Sequence, residues 1–162
     1  MIVVSDTSPV SNLLLIGRLG LLENLYRSVI VPKSVDTEIR MLKGLGKDIS
    51  EYENAVWIKV LTPKDQAKTS FFKSILDPGE AEAISLALEL DCDFLLIDER
   101  IGTKVARERG LKTLGLVGVL VKAKEEKLIP HVRPILDELR SVAGFWLTDK
   151  FLDRILSEVG EL

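Results

Sequence analysis

The sequence is poor in the side chains that most enzyme chemistries use. It has one cysteine, Cys92, and one histidine, His131, in 162 residues. A single thiol forms no internal disulfide and builds no thiolate metal site. A single imidazole excludes two-histidine acid–base hydrolysis and a histidine-rich zinc centre within one chain. Aromatic residues are scarce, with two tyrosines and two tryptophans, so a long base-stacking platform is not expected. No apolar run approaches the ~18 residues of a membrane helix. The opening Met1-Ile2-Val3-Val4-Ser5-Asp6 has no basic stretch and meets a carboxylate at once, which argues against a secretory signal. The expectation is a cytoplasmic protein with no membrane partner. Chemistry of the remaining kinds has to come from oxygen.

Carboxylates are what the chain does have: 25 acidic against 22 basic side chains, for a formal net charge of −3. Apolar types make up 46% and charged types 29%, enough for one well-cored domain. Mild acidity speaks against a protein that coats DNA, but not against a nuclease whose acids sit in a metal site.

The chain reads as strands alternating with helices. Ile2–Ser5, Val29–Val31, Val56–Val60, Phe94–Ile97 and Lys112–Leu114 are strand-like. Asp6-Thr7-Ser8-Pro9 opens a helix, with Ser8 or Asp6 as cap and Pro9 at the first helical position. Apolar faces on Leu13–Leu25 are divided near Gly17 and Gly20, and Lys33–Leu42 is helical. Lys43–Asn54 is a loop or short helix, and Gln66–Ser74 is weakly patterned. Asp77-Pro78-Gly79-Glu80 opens a clearer helix, and a basic helix follows Asp98, from Glu99 to Arg109. Helices over Leu116–Lys127, Val132–Val142 and Thr148–Val159 complete it. This pattern predicts an α/β fold, a Rossmann-like three-layer arrangement of parallel sheet between helices. We expect a domain over 1–129 and a C-terminal helical extension, 130–162, packed on it.

In open parallel sheets function collects at the carboxyl ends of the strands. Asp6 directly follows the first strand and Asp98 the fourth. Glu38 lies in the helix after the second strand, and Glu80 in the first turn of the helix leading to the Asp98 strand. Four carboxylates in one pocket repel one another unless a cation sits among them. Oxygen ligands alone point to Mg²⁺ or Mn²⁺, ions that promote phosphodiester hydrolysis. Each acid has a plainer alternative. Asp6 and Asp98 could cap the helices that follow them, and Glu38 could be a solvated side chain. Asp77 and Glu80 form an acidic capping box, which leaves Glu82 as a competitor.

Four strings in order carry a family resemblance: Asp6-Thr7-Ser8-Pro9, Val31–Glu38, Gly79-Glu80-Ala81-Glu82-Ala83-Ile84 and Leu96-Ile97-Asp98-Glu99-Arg100. With Gly110–Leu120, they resemble the PIN-domain nucleases, in particular the VapC-like toxin branch, over Ile2 to Ile129. The resemblance implies a PIN fold and an endoribonuclease that cuts single-stranded RNA with Mg²⁺ or Mn²⁺. It implies Asp6, Glu38, Glu80 and Asp98 as metal ligands and catalytic acids, with Ser8 and Thr7 orienting them. Glu82 and Glu99 stay open as substitutes or companions. An antitoxin protein partner and a homodimer are further implications, as the toxin half of a toxin–antitoxin pair. The alternatives are a non-catalytic interaction module on the same fold and an RNA-processing nuclease that is not a toxin.

The remaining motifs carry less. Gly44-Leu45-Gly46 lacks a preceding strand and a third glycine, and Gly102-Thr103-Lys104 lacks phosphate-loop spacing. His131 reads as a surface or capping residue. Arg100, Lys104, Arg107, Arg109 and Lys112 follow Asp98 closely and are either ordinary solvated charges or a phosphate-tracking rim, to which Arg18 could add. Phe151, Leu152, Ile155, Leu156 and Val159 give the last helix an apolar face, for the domain or for a second copy.

Overall fold

A computed structural model describes residues 1–162. Five short strands form one parallel sheet: β1 (Val3–Ser5), β2 (Val29–Pro32), β3 (Ile58–Leu61), β4 (Phe94–Leu96) and β5 (Thr113–Leu114). Their order across the sheet is β3-β2-β1-β4-β5. Strand β1 is thus central, with Val4 opposite Ile30 on one side and Leu95 on the other. The helices are α1 (Thr7–Leu15), α2 (Gly20–Tyr26), α3 (Lys33–Gly44), α4 (Ser50–Glu53) and α5 (Gln66–Lys73). They continue with α6 (Pro78–Glu89), α7 (Arg100–Glu108), α8 (Leu116–Glu125), α9 (Arg133–Ser141) and α10 (Asp149–Glu158). This is a three-layer α/β arrangement, a parallel sheet between helices.

Both sheet faces are covered, as a parallel sheet requires. Alternation along β1 and β4 divides the core in two. Val3 and Leu96 join a cluster of 29 buried residues with Leu13, Leu22, Val35 and Leu120. Val4, Leu95 and Ile97 join a cluster of 11 with Phe72, Ile84 and Ala106. Leu136 and Leu139 of α9, and Leu152, Ile155 and Leu156 of α10, belong to the larger cluster.

Local differences from the sequence reading have physical reasons. Helix α1 begins at Thr7, so Pro9 is its third residue; Asp6 holds the cap position without a side-chain cap hydrogen bond. Val56 stands outside β3 and is exposed, because β3 is an edge strand with only Ile58 partly covered. The weakly patterned stretch is α5, capped by Asp65, which accepts from the Lys68 N–H at 2.9 Å. Its inward face includes Thr69, whose hydroxyl meets the Ser85 hydroxyl at 2.8 Å in the interior. A buried polar pair breaks the apolar stripe on which the sequence pattern relies.

Sheet order reverses at β1, where the chain turns to β2 on one side and β4 lies on the other. The crevice outside their carboxyl ends is the place where such folds bind ligands. The Asp6 N–H donates to the Leu96 carbonyl at 2.9 Å, which fixes Asp6 at the end of β4 as well as of its own strand.

Candidate active site

Asp6, Glu38 and Glu80 line one hollow of about 270 Å³. Asp77 and Glu99 complete the acids there, Thr7, Ser8 and Ser11 supply hydroxyls, and no lysine, arginine or histidine lines it. The chain reaches this arrangement through three element starts: Asp6 before α1, Asp77 and Glu80 at the start of α6, and Glu99 before α7. Glu38 comes from the middle of α3 and is itself exposed to solvent. Gly79 makes the close approach possible. A Cβ there would lie 3.1 Å from Glu38 Oε1 and 3.3 Å from Asp6 Oδ1.

Crowding shows in the acidities. Burial pushes the Asp6 carboxyl up to about 7; the Thr7 N–H opposes this, while the charges of Asp77, Glu38 and Asp98 add to it. Burial also raises Glu80 to about 8, helped by Asp77, Asp6 and Glu99 and opposed by the Asp77 N–H. A cluster of carboxylates that resists ionising is what like charges out of water produce in the absence of a cation.

Asp98 occupies a neighbouring place. Its Oδ1 accepts from the Leu116 N–H at 2.9 Å, so it caps α8 and not the helix that follows it in sequence. Gly115 leaves room for that contact, since a Cβ there would sit 2.8 Å from Asp98 Oδ1. The other oxygen, Oδ2, is buried with no hydrogen-bond partner, as is Thr7 Oγ1. Burial pushes Asp98 up against the pull of the Leu116 N–H.

The plainer alternatives resolve unevenly. Asp6 makes no cap bond. The capping box is present, with the Glu80 N–H donating to Asp77 Oδ1 at 2.9 Å and the Asp77 N–H donating to Glu80 Oε2 at 3.3 Å. Yet Glu80, only 5% exposed, also faces the hollow. Glu82 points elsewhere: it accepts from the Ser34 N–H at 3.3 Å and pairs with Lys73 at 3.4 Å. Glu99 caps α7 by accepting from the Gly102 N–H at 2.8 Å. Sequence reading treated Asp77 only as a cap; its place in the hollow follows from the same cap geometry that aims Glu80.

The basic residues divide. Arg100, Lys104 and Arg107 line a hollow on α7 that has Asp98 at its edge. Arg109 instead lies over the Phe71 and Phe72 rings, 5.5 and 5.0 Å from their centroids, and Arg18 pairs with Glu138 at 3.3 Å. His131 is exposed and 4.0 Å from Glu161.

No group of three or more histidine, cysteine or carboxylate side chains is drawn together tightly enough to hold a metal ion as it stands. The acidic hollow nevertheless suits a hard divalent cation in its chemistry: its donors are all oxygen, it is rich in negative charge, and one buried oxygen in it, Thr7 Oγ1, lacks a partner, as does Asp98 Oδ2 outside it. No helix is long and apolar enough to cross a membrane.

Residues 2–161 match the family model DUF3368, a PIN domain. No curated protein matches the chain.

Proposed function

Because the chain belongs to the PIN-domain family, whose members are generally nucleases, we propose that it is a Mg²⁺- or Mn²⁺-dependent endoribonuclease acting on single-stranded RNA. The observation that carries this reading is the hollow of five carboxylates with no basic partner at the sheet's carboxyl edge. Asp6, Glu38, Glu80 and Asp98 are the residues that would hold the ion. When bound, a divalent ion supplies Lewis acidity toward the phosphodiester and offsets the charge that develops on its oxygens.

The chain's own groups have distinct tasks. Asp6 and Glu38 both present oxygens close to Gly79. Glu80, raised to about 8, can hold a proton near neutrality and release it when positive charge approaches. Ser8 Oγ accepts from the Asn12 side chain at 2.9 Å, which leaves its own hydrogen free to donate into the hollow. The α7 cations supply a place for the RNA backbone beside Asp98.

Its role is that of the toxin in a toxin–antitoxin pair of the VapC-like branch. The matching antitoxin is a small protein encoded alongside, with a segment that covers the acidic hollow. The active form is a homodimer in the cytoplasm, and light scattering of the purified chain reports the dimer directly.

The test is cleavage of single-stranded RNA by the wild type and by Asp6→Asn. The wild type cuts with Mn²⁺ and stops in EDTA, while the variant folds and does not cut. An inactive wild type, or a variant that cuts at the wild-type rate, overturns the reading.

A further inference from the structure

A second groove meets the site at Asp98. It has a volume of about 770 Å³ and runs along α8 and α10 toward the Val142–Thr148 connection. Phe94, Phe145, Trp146 and Phe151 are on its walls. Phe94, Phe145 and Phe151 also pack against the larger core cluster, so the aromatic on this groove that the core does not account for is Trp146. It is 80% exposed. Its surroundings are fixed all the same. The Phe145 N–H donates to the Leu139 carbonyl at 2.9 Å, Leu147 is buried, and Thr148 caps α10 by accepting from the Phe151 N–H at 3.1 Å.

Charge decides what such a groove can hold. Lys122 and Arg154 line it, but so do Asp98, Glu125 and Glu158. Arg154 lies over the Phe151 ring at 5.3 Å and within 3.9 Å of Glu158, and Lys122 lies 5.9 Å from the Phe94 ring centroid and 3.9 Å from Glu126, so neither cation stands alone. A phosphate gains little here. Across Asp98, the α7 hollow has Arg100, Lys104 and Arg107 against Asp98 and Glu108. A single strand passing Asp98 therefore finds phosphate partners on the α7 side, and aromatic faces without net positive charge on the α8–α10 side.

We propose that the Phe145–Trp146 groove is a nucleobase subsite, which stacks one unpaired base of a single-stranded substrate while the adjoining phosphate lies against Arg100 and Lys104. This inference rests on the ribonuclease reading and adds where the substrate's base lies. The volume is within the range of sites that take small planar ligands. Stacking on an aromatic ring is tolerant of sequence, because every base has a π face.

The experiment is fluorescence anisotropy of a labelled short single-stranded RNA in EDTA, so that binding is read without cleavage. Trp146→Ala binds about tenfold more weakly than the wild type, the size of effect one stacked base gives. Trp146→Phe recovers most of the loss. An abasic oligonucleotide with the same phosphates binds the wild type and Trp146→Ala equally. Thermal melting confirms that the exposed position leaves folding intact. Equal RNA affinity for Trp146→Ala and the wild type overturns the subsite, as does a loss that persists on the abasic strand. A change in oligomeric state by light scattering also overturns it, since the groove would then belong to a second copy. RNA that binds and is cut normally by Trp146→Ala defeats this inference alone; an absence of RNA binding and cutting in the wild type defeats the nuclease reading with it.

Discussion

Glu80 shows how one side chain can serve stability and chemistry at once. It completes the α6 capping box, and it faces Asp6 across the acidic hollow. Read from sequence alone, capping and metal binding look like competing explanations for Asp77 and Glu80. In three dimensions they are the same geometry, because the cap that fixes the first turn of α6 also aims its acids at the end of β1. The cost lies in the charge. The Glu80 carboxyl is raised from 4.5 to about 8 and Asp6 from 3.8 to about 7. Folded-state values above the unfolded ones mean that stability is fully present below the unfolded values and is lost as pH rises through about 7 and 8. Metal-free protein is thus expected to melt lower at about pH 9 than at about pH 5 on account of these groups. Glu80→Gln keeps the capping box, since glutamine also accepts the cap N–H. In EDTA the variant is expected to exceed the wild type by about 1 kcal/mol, roughly 3 °C, at the higher pH and to match it at the lower. Added Mn²⁺ raises the wild-type melting temperature and raises that of Glu80→Gln less. A wild type that is equally stable at both pH values in EDTA, relative to Glu80→Gln, removes the electrostatic argument.

Among the elements, those whose signals are local were legible: the Asp77-Pro78 helix start, the apolar β4 strand, and the helix break around Gly17 and Gly20. Helix α5 was not, because Thr69 faces inward to meet Ser85 and the apolar spacing is lost. Nor was the partner of Asp98, since the Leu116 N–H reaches it only after β5 has paired with β4. Glu161 is another case that sequence spacing conceals. It follows α10, yet accepts from the Val132 N–H at 2.7 Å and the Arg133 N–H at 3.0 Å at the start of α9, and from Lys124 of α8 at 2.8 Å. Helix α9 has no side-chain cap of its own at Val132, so a carboxylate from the far end of the chain supplies it. Burial pushes the Glu161 carboxyl up, but the hydrogen bonds from Lys124, Val132 and Arg133 outweigh it and hold it at about 2. Here the folded value is depressed, so the stabilisation is present above 4.5 and is lost as pH falls toward about 2. Replacing Glu161 by Ala is expected to cost about 2 kcal/mol near neutrality, the scale of charged hydrogen bonds. Urea melts check it: the gap between the variant and the wild type should narrow in acid, and a gap that stays constant with pH speaks against the cap.

For the whole molecule, the net charge of −3 hides a separation of charge that decides how RNA would bind. Five acids gather at the carboxyl edge of β1, and three cations, Arg100, Lys104 and Arg107, line the α7 hollow near it. The five basic residues that follow Asp98 in sequence do not act as one band. Arg100, Lys104 and Arg107 share the α7 hollow, whereas Arg109 turns away to cover Phe71 and Phe72. Three phosphate contacts on a single strand give a slope of about −2 in log affinity against log salt, at ~0.7 per contact. Binding measured in EDTA across a salt series is expected to show that slope for the wild type. Lys104→Ala should reduce its magnitude by ~0.7. Arg109→Ala should leave the slope unchanged and lower the melting temperature instead, because what it loses is its cover over two aromatic rings. Equal slopes for Lys104→Ala and the wild type would place the backbone elsewhere on the surface. A slope altered by Arg109→Ala would mean that the cations act together as the linear sequence suggests, in spite of the helix turning them to different sides.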